Sequence, residues 1–371
     1  MTTNTMLRSL RCLVAALVLF GSSNLVFATD LEVEEALGET RENRVLVPYA
    51  FYNKSLDTAV VAPIVLVFIG ATYLKNELLV IDGGMGGELQ RRSGHTGGLW
   101  SAQALLDDPE LVSKVHTDYV TSGADIIITN TYATIPSYLS KCGMQNKYVE
   151  LADVAAKIAR KVADEAPNKV LIAGSLPPLG ESYRWDLVPA NETAQPIYQT
   201  LAQTLRPYVD LFLCETMSCV RESVNAVSAA RHVAGSDMPV WVSWTLAEEP
   251  GGGLRSGETV AEALGALADY DVDAYLFNCT TPEAITAGVA ELTELTDKPI
   301  GAYPNLFHVP EGWTLDNDLQ VERSEMSVET FLSFASAWQK AGVSMIGGCC
   351  GIGPEFIHAL SSSKLSGCPK V

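Results

Sequence analysis

The sequence predicts an α/β protein: a closed (β/α)8, or TIM, barrel preceded by a non-barrel N-terminal extension. Three observations predict it. From residue 76 onward, eight short apolar runs alternate with longer amphipathic ones. The short runs are continuously apolar rather than alternating, as in a parallel sheet covered on both faces. Chemistry-bearing residues recur directly after the runs, where barrel enzymes collect their active sites. The runner-up is an open doubly wound sheet. No Gly-x-Gly-x-x-Gly follows the first run, so the dinucleotide-binding form of that alternative has little support.

Taken in order, the chain first gives an extension, residues 1–75, and then the barrel, residues 76–371. Arg8 and Arg11 precede an apolar run at 13–20, and Val26-Phe27-Ala28 follows like a small-residue cleavage site. That is the layout of a secretory leader. The run falls short of the roughly 20 apolar residues a spanning helix needs. An acidic segment at 30–44 leads to a second uncharged run at 59–74, in which Pro63 and Gly70 weaken a helix. Three readings stand: an export or membrane-anchoring leader, a disordered extension of a cytosolic enzyme, or residues upstream of a true start near Lys75. Free thiolates suit a reducing compartment. The cytoplasm is therefore the expected location, with export or membrane association left open by the leader.

The predicted strands are 78–81, 125–129, 170–174, 211–214, 240–244, 274–277, 299–302 and 344–346. Between them, Asp108-Pro109-Glu110 opens a helix with proline in its first turn. Leu111, Val115, Tyr119 and Val120 form its apolar face, and it stops near Gly123. Further helices are predicted at 148–163, 193–208, 221–233, 258–270, 282–295, 328–341 and 354–360.

Composition narrows the function. The formal charge of −19, with no basic stripe to offset it, argues against a nucleic-acid partner and for small-molecule chemistry. Eight irregularly spaced cysteines in 371 residues are not a disulfide framework.

Two places stand out. Gly347-Gly348-Cys349-Cys350-Gly351 follows the last apolar run, and Asn278-Cys279-Thr280 follows the sixth. Three thiols with no obvious fourth protein ligand fit a catalytic zinc site, which keeps one position open, better than a closed structural one. Adjacent cysteines in a strand point to opposite faces, so the flanking glycines are needed to let both sulfurs turn inward. The alternatives are buried packing cysteines and a vicinal disulfide at Cys349-Cys350. Cys142, Cys214, Cys219 and Cys368 lack such context and read as structural, and Cys12 as part of the leader. Alternation along the strand aims Cys214 away from whatever Glu215 faces.

Asp82 and Glu215 are carboxylates directly after apolar runs, suited to a substrate ammonium if they meet at one mouth. Each alone reads equally well as a rim salt bridge or a helix cap. The stretch Gly83-Gly84-Met85-Gly86-Gly87 offers exposed backbone N–H groups for a carboxylate. Combined, these features describe a pocket for a zwitterionic amino acid beside a thiophilic metal. Asn130-Thr131 and Tyr303-Pro304-Asn305 also fall at strand ends, and the histidines show no ligand spacing.

At these residues the chain resembles the homocysteine S-methyltransferase family, from about Glu77 to about Leu360. The carriers are Ile81-Asp82-Gly83-Gly84-Met85, Leu99-Trp100-Ser101-Ala102, Asp108-Pro109-Glu110-Leu111, Gly123-Ala124-Asp125, Cys214-Glu215-Thr216, Asn278-Cys279, Tyr303-Pro304-Asn305 and Gly347-Gly348-Cys349-Cys350. The resemblance implies a zinc-bearing barrel that methylates homocysteine to methionine. It implies Cys279, Cys349 and Cys350 as zinc ligands, and Asp82 and Glu215 holding the amino group. Backbone at Gly83, Gly84 and Met85 would hold the carboxylate, and Asn278 would support the ligand loop at the substrate site. The donor it implies is S-methylmethionine or S-adenosylmethionine, with betaine as the alternative. A cobalamin-linked, folate-using enzyme is not expected in a chain of this length. The rival classes are a non-catalytic thiol- or metal-binding barrel and a redox role for Cys349-Cys350. Oligomeric state is left open.

Overall fold

The computed structural model describes residues 48–53, 58–63, 78–94, 99–309 and 326–366. The leader pattern at 8–28 and Cys368 lie outside these residues. The chain divides into two compact units, Met1–Gly70 and Ala71–Val371. In the first, Pro48–Asn53 and Thr58–Pro63 pair antiparallel, with Pro48 opposite Pro63. The start of the uncharged run at 59–74 is thus a hairpin strand, a pairing no motif in the sequence announced.

The second unit holds eight parallel strands, one at each predicted position: β1 (Leu79–Val80), β2 (Ile126–Ile128), β3 (Leu171–Leu176), β4 (Leu211–Met217), β5 (Val240–Trp244), β6 (Ala274–Asn278), β7 (Ile300–Tyr303) and β8 (Met345–Ile346). From β2 to β8 each strand pairs with the next in sequence, and β8 pairs with β1. A parallel bridge between Ile81 and Ile126 closes the ring. There the Asp82 N–H donates to the Ile126 carbonyl at 2.9 Å and the Asp125 N–H to Val80 at 2.7 Å.

The helices are α1 (Met85–Ser93), α2 (Trp100–Asp107), α3 (Pro109–Thr121), α4 (Pro136–Ser140), α5 (Tyr148–Glu165), α6 (Asn191–Leu205), α7 (Val220–Ala234), α8 (Val260–Ala266), α9 (Pro282–Leu295), α10 (Val328–Lys340) and α11 (Pro354–Ser366). Several start where the sequence supplies a cap. The Asp108 side chain accepts the Leu111 N–H, with Pro109 in the first turn of α3. Thr259 and Glu262 cap α8 reciprocally, and Thr281 and Ser327 cap α9 and α10. None of the helices among the described residues is long and apolar enough to cross a membrane.

Strand alternation sorts the apolar residues into two cores. Ile81, Ile126, Ala173, Leu211, Leu213, Trp241, Ala274, Leu276, Tyr303 and Met345 fill the barrel interior. Phe212, Cys214, Val242, Trp244, Tyr275 and Phe277 belong to the larger core shared with the helices. Burial on both faces explains why the strands read as unbroken apolar runs. Cys214 indeed points away from the side Glu215 faces. Cys219 is buried, whereas Cys142 is exposed and is no core residue.

Candidate active site

The two-residue period that packs the interior also sets what stands at its mouth. Continuing inward from Ala173, Leu213, Trp241 and Leu276 gives Ser175, Glu215, Ser243 and Asn278. These four and Tyr303 are the last inward positions of β3 to β7, and all are buried. The apolar barrel therefore ends in a polar ring. Ser175 Oγ donates to Glu215 Oε1, and the Tyr303 hydroxyl to Glu215 Oε2 at 3.4 Å. Ser243 Oγ donates to Asn278 Oδ1 at 2.7 Å. The same Oδ1 accepts the Thr216 N–H at 3.0 Å, and Asn278 Nδ2 donates to Thr216 Oγ1 at 2.8 Å.

Thr216 sits where β4 breaks register, between Cys214 and Met217, and its φ is +60°. Cys279, one residue past Asn278, has φ +53°. Left-handed backbone at a β-branched or a cysteine residue costs on the order of 1–3 kcal/mol and persists only where the surroundings enforce it. Asn278 and the strand ends enforce it here.

The sulfurs of Cys279, Cys349 and Cys350 all lie within 4.8 Å of one another, and Cys349 and Cys350 are 4.0 Å apart as free thiols. Three sulfurs around a tetrahedral zinc with bonds of about 2.3 Å stand about 3.8 Å apart. Contraction by at most about 1 Å would suffice, so the donor set fits the metal. The loops are laced together by the end of β7. The Cys279 N–H donates to Tyr303 O, the Cys349 N–H to Pro304 O, the Asn305 N–H to Thr280 O and the Leu306 N–H to Cys350 O, at 2.8–3.3 Å. The Asn305 amide is fully buried, and both its polar atoms lack a partner among the described residues.

The glycines before the cysteine pair act by close approach rather than by unusual φ. A Cβ on Gly347 would meet Ile81 Cβ at 2.6 Å, and one on Gly348 would meet Ile352 Cγ2 at 2.1 Å. Only Gly351, after the pair, takes a left-handed φ of +83°.

Burial pushes the Cys279 thiol up, but hydrogen bonds with Cys349, Cys350, Tyr183 and Thr216 outweigh it and hold it well below the usual thiol range. The same contact with Cys279 pushes Cys349 and Cys350 well up. One negative charge is thus already favoured within the trio.

Asp82 and Glu215 face each other across this mouth. Burial raises Asp82 well above the ordinary carboxylate range, opposed by the Ile128 N–H bond at 2.9 Å and reinforced by the Glu215 charge. Its Oδ1 is buried without a partner among the described residues. Burial also raises Glu215 to about 7, with the Cys279 charge adding to it and the Ser175 bond opposing it. A buried carboxylate oxygen left unmatched is unfavourable unless a cation arrives.

The glycine-rich stretch is not the exposed loop its composition suggests. It is half-buried, and α1 begins at Met85. A Cβ on Gly83 would strike the Ile352 carbonyl at 2.2 Å, and one on Gly84 the Cys349 carbonyl at 2.6 Å. The Gly84 N–H is used by Ile352 O. The N–H groups that the helix rule leaves without intrahelical partners are those of Met85, Gly86 and Gly87.

Sequence reasoning missed Ser175, Thr216, Ser243 and Tyr183 as site residues. The first and third are lone polar residues at inward parity in otherwise apolar strands, a signal readable once the barrel is drawn. Tyr183, φ +67°, packs on Cys279 and Phe307 beside the thiols and carries the Arg255 guanidinium 5.0 Å from its ring centre.

Comparison with known proteins agrees with this geometry. The Homocysteine S-methyltransferase family model matches residues 79–363. The chain is 32% identical over 314 residues to homocysteine S-methyltransferase 3 of Arabidopsis thaliana, covering 76% of this chain and 88% of that protein. It is 30% identical to a selenocysteine Se-methyltransferase of Brassica oleracea, over 77% of this chain and 89% of that one. Among solved structures, the metallated homocysteine methyltransferase MmuM of Escherichia coli superposes with a TM-score of 0.65 at 29% identity, covering 78% of this chain and 97% of that one. The match takes in all eight barrel strands and all three clustered cysteines, and the chain belongs to the homocysteine S-methyltransferase family.

Proposed function

We propose that this enzyme makes methionine from homocysteine in a zinc-dependent reaction, with S-methylmethionine or S-adenosylmethionine as the methyl donor. The observation that carries the reading is the meeting, at one barrel mouth, of three clustered thiols with a buried carboxylate whose Oδ1 has no partner among the described residues. Cys279, Cys349 and Cys350 would hold zinc. When bound, zinc supplies a Lewis acid that keeps an acceptor thiol ionised at neutral pH.

The chain's own residues do the rest. Asp82 Oδ1 and Glu215 receive the acceptor's ammonium, which restores the charge balance their burial upsets. The α1 N-terminus, at Met85 with Gly83 and Gly84 before it, lies next to the Asp82 end and suits the acceptor's carboxylate. Asn278 acts on the site through Thr216 and the Cys279 backbone. The ionised sulfur attacks the donor's methyl carbon in line. The new S–C bond takes the sulfur's lone pair, and the donor's C–S⁺ bond breaks, leaving a neutral thioether. Positioning of two bound substrates supplies much of the rate. We assign this chemistry to residues 76–371 and place the enzyme in the cytoplasm, where free thiols persist.

The test is metal content and turnover of Cys279→Ser, Cys349→Ser and Cys350→Ser. Each should lose zinc and turnover. Full zinc retention in any one removes that residue from the site.

A further inference from the structure

Two residues in left-handed backbone, Thr216 and Cys279, each follow directly on a residue of the polar ring, Glu215 and Asn278. One side chain joins them. The Asn278 amide spends Oδ1 on the Thr216 N–H and the Ser243 hydroxyl, and Nδ2 on the Thr216 hydroxyl. Thr216 directly follows Glu215, and Asn278 directly precedes Cys279. All these groups are buried. The carboxylate at one end and the sulfur at the other are therefore tied through one amide across adjacent parts of β4, β5 and β6.

We infer that this Thr216–Asn278–Ser243 clamp is a length gauge for the acceptor. It rests on the reading that Glu215 takes the ammonium and the cysteine site takes the thiol. On that reading an amino-thiol must reach both ends at once. The clamp fixes their separation, because the amide bonds Thr216, next to Glu215, and belongs to the residue whose backbone leads directly into Cys279. A site so fixed favours homocysteine over cysteine, its homologue one methylene shorter, which cannot reach both ends without movement. One methylene in a rigid pocket is worth roughly 10–200-fold in kcat/KM. A site free to shift would recover part of that for cysteine.

The experiment compares the zinc-loaded enzyme with Thr216→Val, Thr216→Ser and Ser243→Ala, using homocysteine and cysteine as acceptors. Thr216→Val keeps shape and β-branching but removes the hydroxyl. It should lower the homocysteine-to-cysteine ratio of kcat/KM about tenfold, within the range one methylene spans. Thr216→Ser, which keeps the hydroxyl, should restore the ratio. Ser243→Ala should move it in the same direction by less, and serves if Thr216→Val fails to fold.

A merely structural role would lower both acceptors alike and leave the ratio unchanged. That result, with zinc content intact, overturns the gauge, as does a Thr216→Ser variant shifted as far as Thr216→Val. If Glu215→Gln leaves homocysteine affinity untouched, the ammonium reading has failed and takes the gauge with it. An unchanged ratio in an enzyme that does depend on Glu215 removes the gauge alone.

Discussion

Glu215→Gln should make the enzyme more stable and a poorer binder of homocysteine. Glu215 is buried against Ser175, Tyr303 and the charge near Cys279, and its pKa is raised from 4.5 to about 7. A group whose folded pKa lies above its unfolded value contributes stability at low pH and loses it as pH rises through the folded value. Glu215 therefore becomes progressively unfavourable to the fold from about pH 4.5 to about pH 7. A rise from 4.5 to about 7 corresponds to about 3 kcal/mol at pH 8. Glutamine keeps an acceptor for the Ser175 hydroxyl and carries no charge, so most of that penalty should vanish. Binding moves the other way, because a charge-assisted hydrogen bond worth about 1.5–3 kcal/mol is lost, a factor of about 10–150 in Kd. The assay is denaturant unfolding of wild type and variant at pH 5 and pH 8, without acceptor, together with homocysteine titration at pH 8. The stability gain should be larger at pH 8 than at pH 5. A variant less stable at pH 8 with an unchanged Kd would show instead that Glu215 is a structural anchor that takes no part in binding the ammonium.

His116, fully buried on α3 with neither ring nitrogen partnered among the described residues, works in the opposite direction. Burial lowers its pKa to about 4, so the stability it permits is present above pH 6.5 and lost as pH falls toward 4. His116→Leu should flatten that acid limb in a pH series of unfolding midpoints, and an unchanged limb would contradict it. Gly347→Ala should cost several kcal/mol or prevent folding, because its Cβ meets Ile81 and the Asp82 carbonyl within 2.8 Å. A fully active, equally stable Gly347→Ala protein would contradict the close-approach account. Thr259→Ala should cost about 1 kcal/mol through loss of the α8 cap and leave kcat unchanged. A midpoint shift of zero would show that tertiary packing alone holds that helix.

The sequence disclosed the strands well because their physics is local: burial on both faces demands unbroken apolar runs, and eight such runs mark eight strands. The clustered thiols and the facing carboxylates were legible for a second reason, since each follows a strand that the barrel brings to the same mouth. Helices α1 and α2 were not legible. Met85–Ser93 carries Gly86 and Gly87 and reads as a loop. It is held by tertiary contacts, among them Arg92 bridging Glu88 and Asp118 at 2.8 and 2.5 Å. The role of Thr216, named only as part of a motif, was not legible because a register break in β4 gives it, and no residue pattern announces such a break. Ser175 and Ser243 needed partners on other strands, 40 and 35 residues away. Local propensity finds elements, whereas hydrogen bonds across strands appear only when the ring is closed.

Methionine formation by the zinc-loaded, reduced enzyme is the first measurement to make. The enzyme would be given homocysteine with S-methylmethionine, S-adenosylmethionine or betaine in separate reactions. Turnover with a sulfonium donor is expected, with loss on chelation and recovery when zinc is restored. Absence of methionine with every donor, from protein shown to hold zinc on its three cysteines, would contradict methyl transfer to homocysteine.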